Sequence, residues 1–140
     1  FDMKGLVKFK KDCNEILQNG KVLHYFPEGA LWPFYGKLRE FKTGAFRFAV
    51  TANVPVLPYC FWFRERKGIW KILGKNPLVT LEILEPIYPN KELDKKTAIY
   101  DLMERAYTAM KQVIDLHPYD NPKYNEIEST LNTQQNDTAE

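Results

Sequence analysis

Three residues in one short stretch could hold a phosphorylated ligand: Glu28, Lys42 and Gly44. Glu28 follows Lys21–Phe26, a mostly apolar β-type run that Pro27 ends. In open α/β sheets, ligands bind outside the C-terminal ends of the strands. Gly29 lets the backbone turn sharply or approach a ligand closely. Lys42 stands just before a helix pattern whose first turn contains Gly44. A helix N-terminus offers free N–H groups and a positive dipole end, so with a lysine it forms an anion site. The carboxylate would accept hydrogen bonds from hydroxyls and the cations would hold a phosphate. The plain alternative is that Glu28 caps its turn or pairs with Arg39.

The elements that must position these groups are legible from periodicity. Leu6, Phe9, Cys13, Ile16 and Leu17 recur at helical spacing, and Asn19-Gly20 stops that helix. After the 21–26 strand, residues 27–41 form a long loop rich in Pro, Gly and aromatics. Phe41, Ala45, Phe48, Ala49 and Ala52 mark a second helix from about residue 43, with Asn53 as its C-terminal signal. Val54–Phe63 reads as a strand that Pro55 and Pro58 demote to an edge or a distorted ladder. Ile69–Leu73 and Leu78–Leu84 are further strand candidates. The strongest helix follows, on Ala98, Ile99, Leu102, Met103, Ala106, Met110, Val113 and Ile114, with Asp94 at its N-cap. This order gives an α/β or α+β class, taken here as α/β: a layered sheet with flanking helices, present as a partial domain over 1–118. Alone, it would leave sheet edges open. Residues 119–140 turn polar and read as a disordered tail.

Composition narrows the partners. The chain has 140 residues, 44% hydrophobic and 27% charged, with a net charge of +2, so no global field draws nucleic acid. The aromatics fall at core spacing, and the long helix carries no basic stripe. Charge is nevertheless local. From Gly36 to Arg47, four cations face Glu40, a balance of +3. From Arg64 to Lys75, five cations face Glu65, a balance of +4. Such patches favour anionic ligands or an anionic membrane surface. The aromatic and basic run Phe61–Lys67 fits a membrane interface, or more simply a strand end with a solvated hairpin. Cys13 and Cys60 lie in apolar patterns, fit no metal motif or disulfide framework and suggest a reducing compartment; Cys60 reads as a buried small hydrophobe. No apolar run is long enough to cross a membrane. The chain starts with Phe1 and enters a helix pattern at once, so it is expected to begin inside a larger gene product.

Phe26-Pro27-Glu28-Gly29, then Phe41-Lys42-Thr43-Gly44-Ala45-Phe46, then Val54-Pro55-Val56-Leu57-Pro58 stand in this order and spacing. The set resembles the lysophosphatidic acid and glycerol-3-phosphate acyltransferase family, in a divergent bacterial branch, over Met3 to about Pro89. The resemblance implies acyl transfer from acyl-CoA or acyl carrier protein to a hydroxyl of a lysophospholipid or glycerol 3-phosphate in phospholipid synthesis. It implies no metal and no tightly bound cofactor, and a peripheral place on the cytoplasmic side of the membrane. It assigns substrate binding to Pro27, Glu28, Gly29, Lys42 and Gly44, and ties the Val54–Pro58 block, with Pro55, to acyl-donor binding or to shaping the site; Arg39 joins them as a candidate binding residue. Two departures stand out. The family's Thr-Arg-Ser after Pro-Glu-Gly is replaced by Ala30-Leu31-Trp32, so Lys37, Arg39 or Lys42 would have to supply the phosphate-binding charge. The family's catalytic His-x4-Asp block is absent, and neither His24 nor His117 has its spacing. His24 reads as a core histidine and His117 as a helix C-terminal residue. A positioned general base contributes roughly 10²–10⁴-fold in rate, so the chain by itself is expected to be inactive. The rival reading is a non-catalytic fragment or module that binds a phosphorylated or lipid ligand.

Overall fold

The computed structural model describes residues 3–72 and 74–124. Helix α1 spans Met3–Gln18, α2 Gly44–Ala52 and α3 Lys95–Leu116; strands β1 (Tyr59–Arg64) and β2 (Leu78–Ile83) form one antiparallel hairpin. Short 3₁₀ turns cover Gly68–Lys71 and Pro122–Tyr124.

Helix α3 starts where its chemistry dictates. The Asp94 carboxylate accepts from the N–H groups of Lys96 and Thr97 at 2.9 and 3.2 Å, satisfying two donors that have no partner inside the helix. Ile99, Leu102 and Ala106 then recur three and four residues apart, which sets them on one face. That face meets Phe46 and Ala49 of α2 to form the core, with Phe41, Val54, Val56, Ile87 and Met103 packed around it. Leu102 is wholly buried, and such burial stabilises by roughly 1.5–3 kcal/mol. Helix α2 ends at Asn53, which adopts the left-handed conformation and donates its N–H back to Ala49 and Val50. Helix α1 packs on α2, with the Phe9 and Phe48 rings edge to face.

The prolines shorten β1 as their chemistry requires. Val56 and Ile87 exchange a pair of backbone hydrogen bonds as an isolated bridge, and the regular ladder begins only after Pro58. The hairpin alternates in an unusual sense. Cys60, Trp62 and Arg64 lie on one face with Thr80 and Glu82; Phe61 and Phe63 lie on the other with Val79, Leu81 and Ile83. The first, more polar face is turned to α3: the Cys60 thiol points at the Met110 carbonyl and the Trp62 ring stacks on His117. The second face is apolar, and Phe61, Val79, Leu81 and Ile83 are exposed on it.

Three expectations change. Residues 21–26 form no strand and have no ladder partner among the described residues, and Val22, Tyr25 and Phe26 are exposed. An apolar run supplies strand propensity, but a ladder also needs a neighbour. Residues 69–72 are not a strand but a 3₁₀ turn and its cap, entered through Gly68 at φ 58°; β2 pairs directly with β1, which leaves 65–77 as the hairpin connection. Residues 119–124, expected to open the polar tail, are packed. Tyr124 is buried, stacks on Trp32 and donates its hydroxyl to the Pro33 carbonyl, while Asn121 donates to the Phe34 carbonyl. Residues 125–140 lie outside the described residues.

Candidate functional site

Pro27, Glu28 and Gly29 form a tight turn in which the Gly29 N–H donates to the Phe26 carbonyl at 3.1 Å, with Gly29 at φ 77°. The Lys42 N–H donates to the Pro27 carbonyl at 2.7 Å. This bond closes the 27–42 loop at its neck and sets Lys42 beside the turn. A Cβ built on Gly29 would meet Lys42 Cγ at 3.9 Å. Glu28 faces back across the loop, its carboxylate accepting from the Arg39 backbone N–H at 3.2 Å. The Arg39 guanidinium lies over the Trp32 ring, 4.2 Å from its centre, and its Nη1 is buried without a hydrogen-bond partner. Of the sequence alternatives for Glu28, a carboxylate that braces its own loop is therefore realised through the Arg39 backbone.

Helix α2 begins at the same place. Thr43 is its N-cap but makes no side-chain capping bond. Helices leave their first N–H groups without internal acceptors, so α2 presents donors next to Lys42. Tyr25 closes the other side, since a Cβ on Gly44 would lie 2.8 Å from the Tyr25 hydroxyl oxygen. Gly44 is thus required for that approach. The structure brings together Pro27, Glu28, Gly29, Arg39, Lys42 and Gly44. Pro55 stands apart, beyond the C-terminal end of α2, which is roughly 13 Å of helix from the cluster. Tyr25 has no sequence signal of its own; only the fold places it over Gly44.

Burial pushes the Glu28 carboxyl above its ordinary value, and the Arg39 N–H and guanidinium partly offset that rise. Cys60, buried below on β1, is pushed up to about 11 by burial first, then by the charges of Glu82 and Glu28. Burial likewise raises Cys13. Both thiols therefore stay protonated and unreactive near neutral pH. The two histidines hold structural contacts. His24 is exposed rather than a core residue: its Nε2 meets the Tyr59 hydroxyl and its ring lies against Phe26. His117 is the C-cap of α3 and stacks on Trp62 at 3.8 Å. Among the described residues no cluster of His, Cys, Asp or Glu is placed to hold a metal, and no helix is long and apolar enough to cross a membrane.

A carboxylate, two cations and an uncapped helix start suit a ligand that carries both hydroxyls and an anionic group. Residues 2–62, which contain every candidate residue, match the family model named Acyltransferase. Through this segment, which is less than half of the chain, it resembles the acyltransferase family. Over 57 residues the chain is 39% identical to the 1-acyl-sn-glycerol-3-phosphate acyltransferase BAT2, chloroplastic, of Brassica napus. That stretch is 41% of this chain and 16% of the relative. No solved structure matches the chain.

Proposed function

We propose that this chain supplies the acceptor-binding part of a layered α/β acyltransferase domain. The domain would move an acyl group from acyl-CoA or acyl carrier protein to a hydroxyl of a lysophospholipid or glycerol 3-phosphate. The observation that carries this reading is the convergence of Glu28, Lys42 and the start of α2 inside the acyltransferase segment. The name of the Brassica relative supports an acylated glycerol phosphate as acceptor. In the reaction, the acceptor oxygen attacks the thioester carbonyl carbon, its proton passes to a general base, and the carbon–sulfur bond breaks to release the thiol. The base would be the histidine of a His-x4-Asp block outside these residues. Glu28 orients the acceptor by accepting from its hydroxyls. Lys42, the α2 amides and the unspent Arg39 donor hold its phosphate in place of the family's missing arginine. Such positioning is where much of the barrier reduction arises. No tightly bound cofactor takes part, and the enzyme works at the cytoplasmic face of the membrane that holds its lipid.

The test is an acyl-transfer assay on the intact gene product, with labelled acyl thioester and either glycerol 3-phosphate or its lyso derivative. Lys42→Ala is expected to raise the acceptor KM about tenfold, the value of a charge-assisted contact. If it raises KM no more than the exposed Lys91→Ala does, the phosphate is held elsewhere. Ligand binding by a gene product that transfers no acyl group would establish a binding module instead.

A further inference from the structure

The hairpin connection 65–77 lies outside the acyltransferase segment and plays no part in the acceptor site. Within it, Ile69 is 73% exposed, Trp70 54% and Ile72 86%. In a 3₁₀ turn, side chains three apart eclipse one another, so Ile69 and Ile72 share one side of the Gly68–Lys71 turn. The Arg66 side chain donates to the Asn76 carbonyl at 2.8 Å and ties the two arms of the connection together. Beside these residues along the connection come Lys67, Lys71 and Lys75, all exposed and none ion-paired among the described residues. Arg64 follows on β1, its guanidinium over the Trp62 ring. The only acid in the stretch is Glu65.

Exposed isoleucines and a tryptophan at the far end of a hairpin, interleaved with exposed cations that have no ion-pair partner among the described residues, match one surrounding in both polarity and charge. We propose that the 65–77 tip docks on an anionic lipid bilayer. Ile69, Trp70 and Ile72 enter the boundary between head groups and acyl chains, where indole rings and amphipathic segments partition. Lys67, Lys71 and Lys75 meet the negative surface. The charge complementarity selects anionic lipid, and the apolar triad selects a bilayer over a soluble polyanion. The inference does not rest on acyl transfer, because it uses no residue of the acceptor site.

The test is sedimentation of the 140-residue chain with vesicles of phosphatidylcholine alone and of phosphatidylcholine mixed with phosphatidylglycerol, followed by quenching of tryptophan emission with brominated lipid. The chain is expected to bind the mixed vesicles and to bind more weakly as salt rises. Each lysine neutralised should weaken binding about fivefold, so K67Q/K71Q/K75Q should bind about 100-fold more weakly. I69S/W70S/I72S should lose about tenfold or more, together with the bromolipid quenching. All these positions are exposed, and melting at the parent temperature shows that the variants are folded. Four results overturn the proposal: no vesicle binding, equal binding to neutral and anionic vesicles, parental binding by both variants, or loss in the lysine variant alone. The last would mark the tip as a patch for soluble polyanions such as RNA.

Discussion

Replacing Glu28 by Gln separates a ligand-binding carboxylate from a brace of the loop. The amide keeps an oxygen that can accept from the Arg39 N–H, so the 3.2 Å bond that shapes the loop survives. What disappears is the charge. Burial is the largest influence on this carboxyl and disfavours its ionised form, more than the Arg39 contacts favour it. The sign follows. The folded-state value is raised, so the stabilisation tied to the protonated form is present below the ordinary carboxylate range. It is lost as pH rises through the folded value. At neutral pH, Glu28→Gln should therefore melt at or above the parent, and its melting temperature should fall less from about pH 4, near the ordinary carboxylate range, to about pH 7. Binding should move the other way. A hydrogen bond to a charged group is worth about 1.5–3 kcal/mol, so affinity for glycerol 3-phosphate or its lyso derivative should drop roughly 10- to 150-fold. Calorimetric titration and thermal melts on the same samples read both quantities. A variant that melts lower and binds equally well would refute the reasoning and leave Glu28 as scaffold alone.

Two further outcomes test the packing. A Cβ at Gly36 would fall 1.9 Å from the Tyr119 carbonyl oxygen, so Gly36→Ala must push the 31–39 loop away from 119–124. The expected cost is about 1–3 kcal/mol, with a change in near-ultraviolet dichroism as the Trp32–Tyr124 stack opens; an unchanged melt and spectrum would mean the two segments are not held together. Cys60, with its thiol pushed up to about 11, should have about one thiolate in a thousand at pH 8. Iodoacetamide should therefore leave Cys60 and Cys13 unlabelled in the folded chain and label both in urea. Rapid labelling of Cys60 in the native protein would contradict its burial. Its contribution to stability is present below the ordinary thiol range and is lost as pH rises through about 11.

The parts legible in the sequence are those fixed by neighbours along the chain. Asn53 and Asp94 announce the end of α2 and the start of α3 because caps are local hydrogen-bonding devices. The candidate cluster is legible for a related reason: Pro27–Gly29 and Lys42–Gly44 need only one loop closure to meet, and the Lys42–Pro27 bond supplies it. What sequence reading misses depends on distant partners. The run 21–26 has strand composition, but no composition states which neighbour would complete a ladder. The 69–72 run looks the same to a window of residues, although Gly68 turns the chain out of the sheet. Tyr119 and Tyr124 sit in a polar stretch that reads as a tail, yet their partners are Phe63, Trp32 and Pro33, far away along the chain. Pro55 shares a sequence block pattern with the site but not its location, because a whole helix intervenes.

The outward apolar face of the hairpin bears on how the chain behaves when crowded. Leu78–Leu84 has strong β propensity, a single charged residue in Glu82 and no proline, the signature of segments that stack into cross-β filaments. The same sequence brackets that hazard. Pro77 stands before it and Glu85-Pro86 after it, while Arg64, Glu65 and Arg66 close the end of β1. Prolines cannot donate to an added strand, and stacked charges repel when copies align in register. Filament growth along β2 is thus capped at both ends of the strand, and the hairpin can display an oily surface to its surroundings while resisting templated polymerisation.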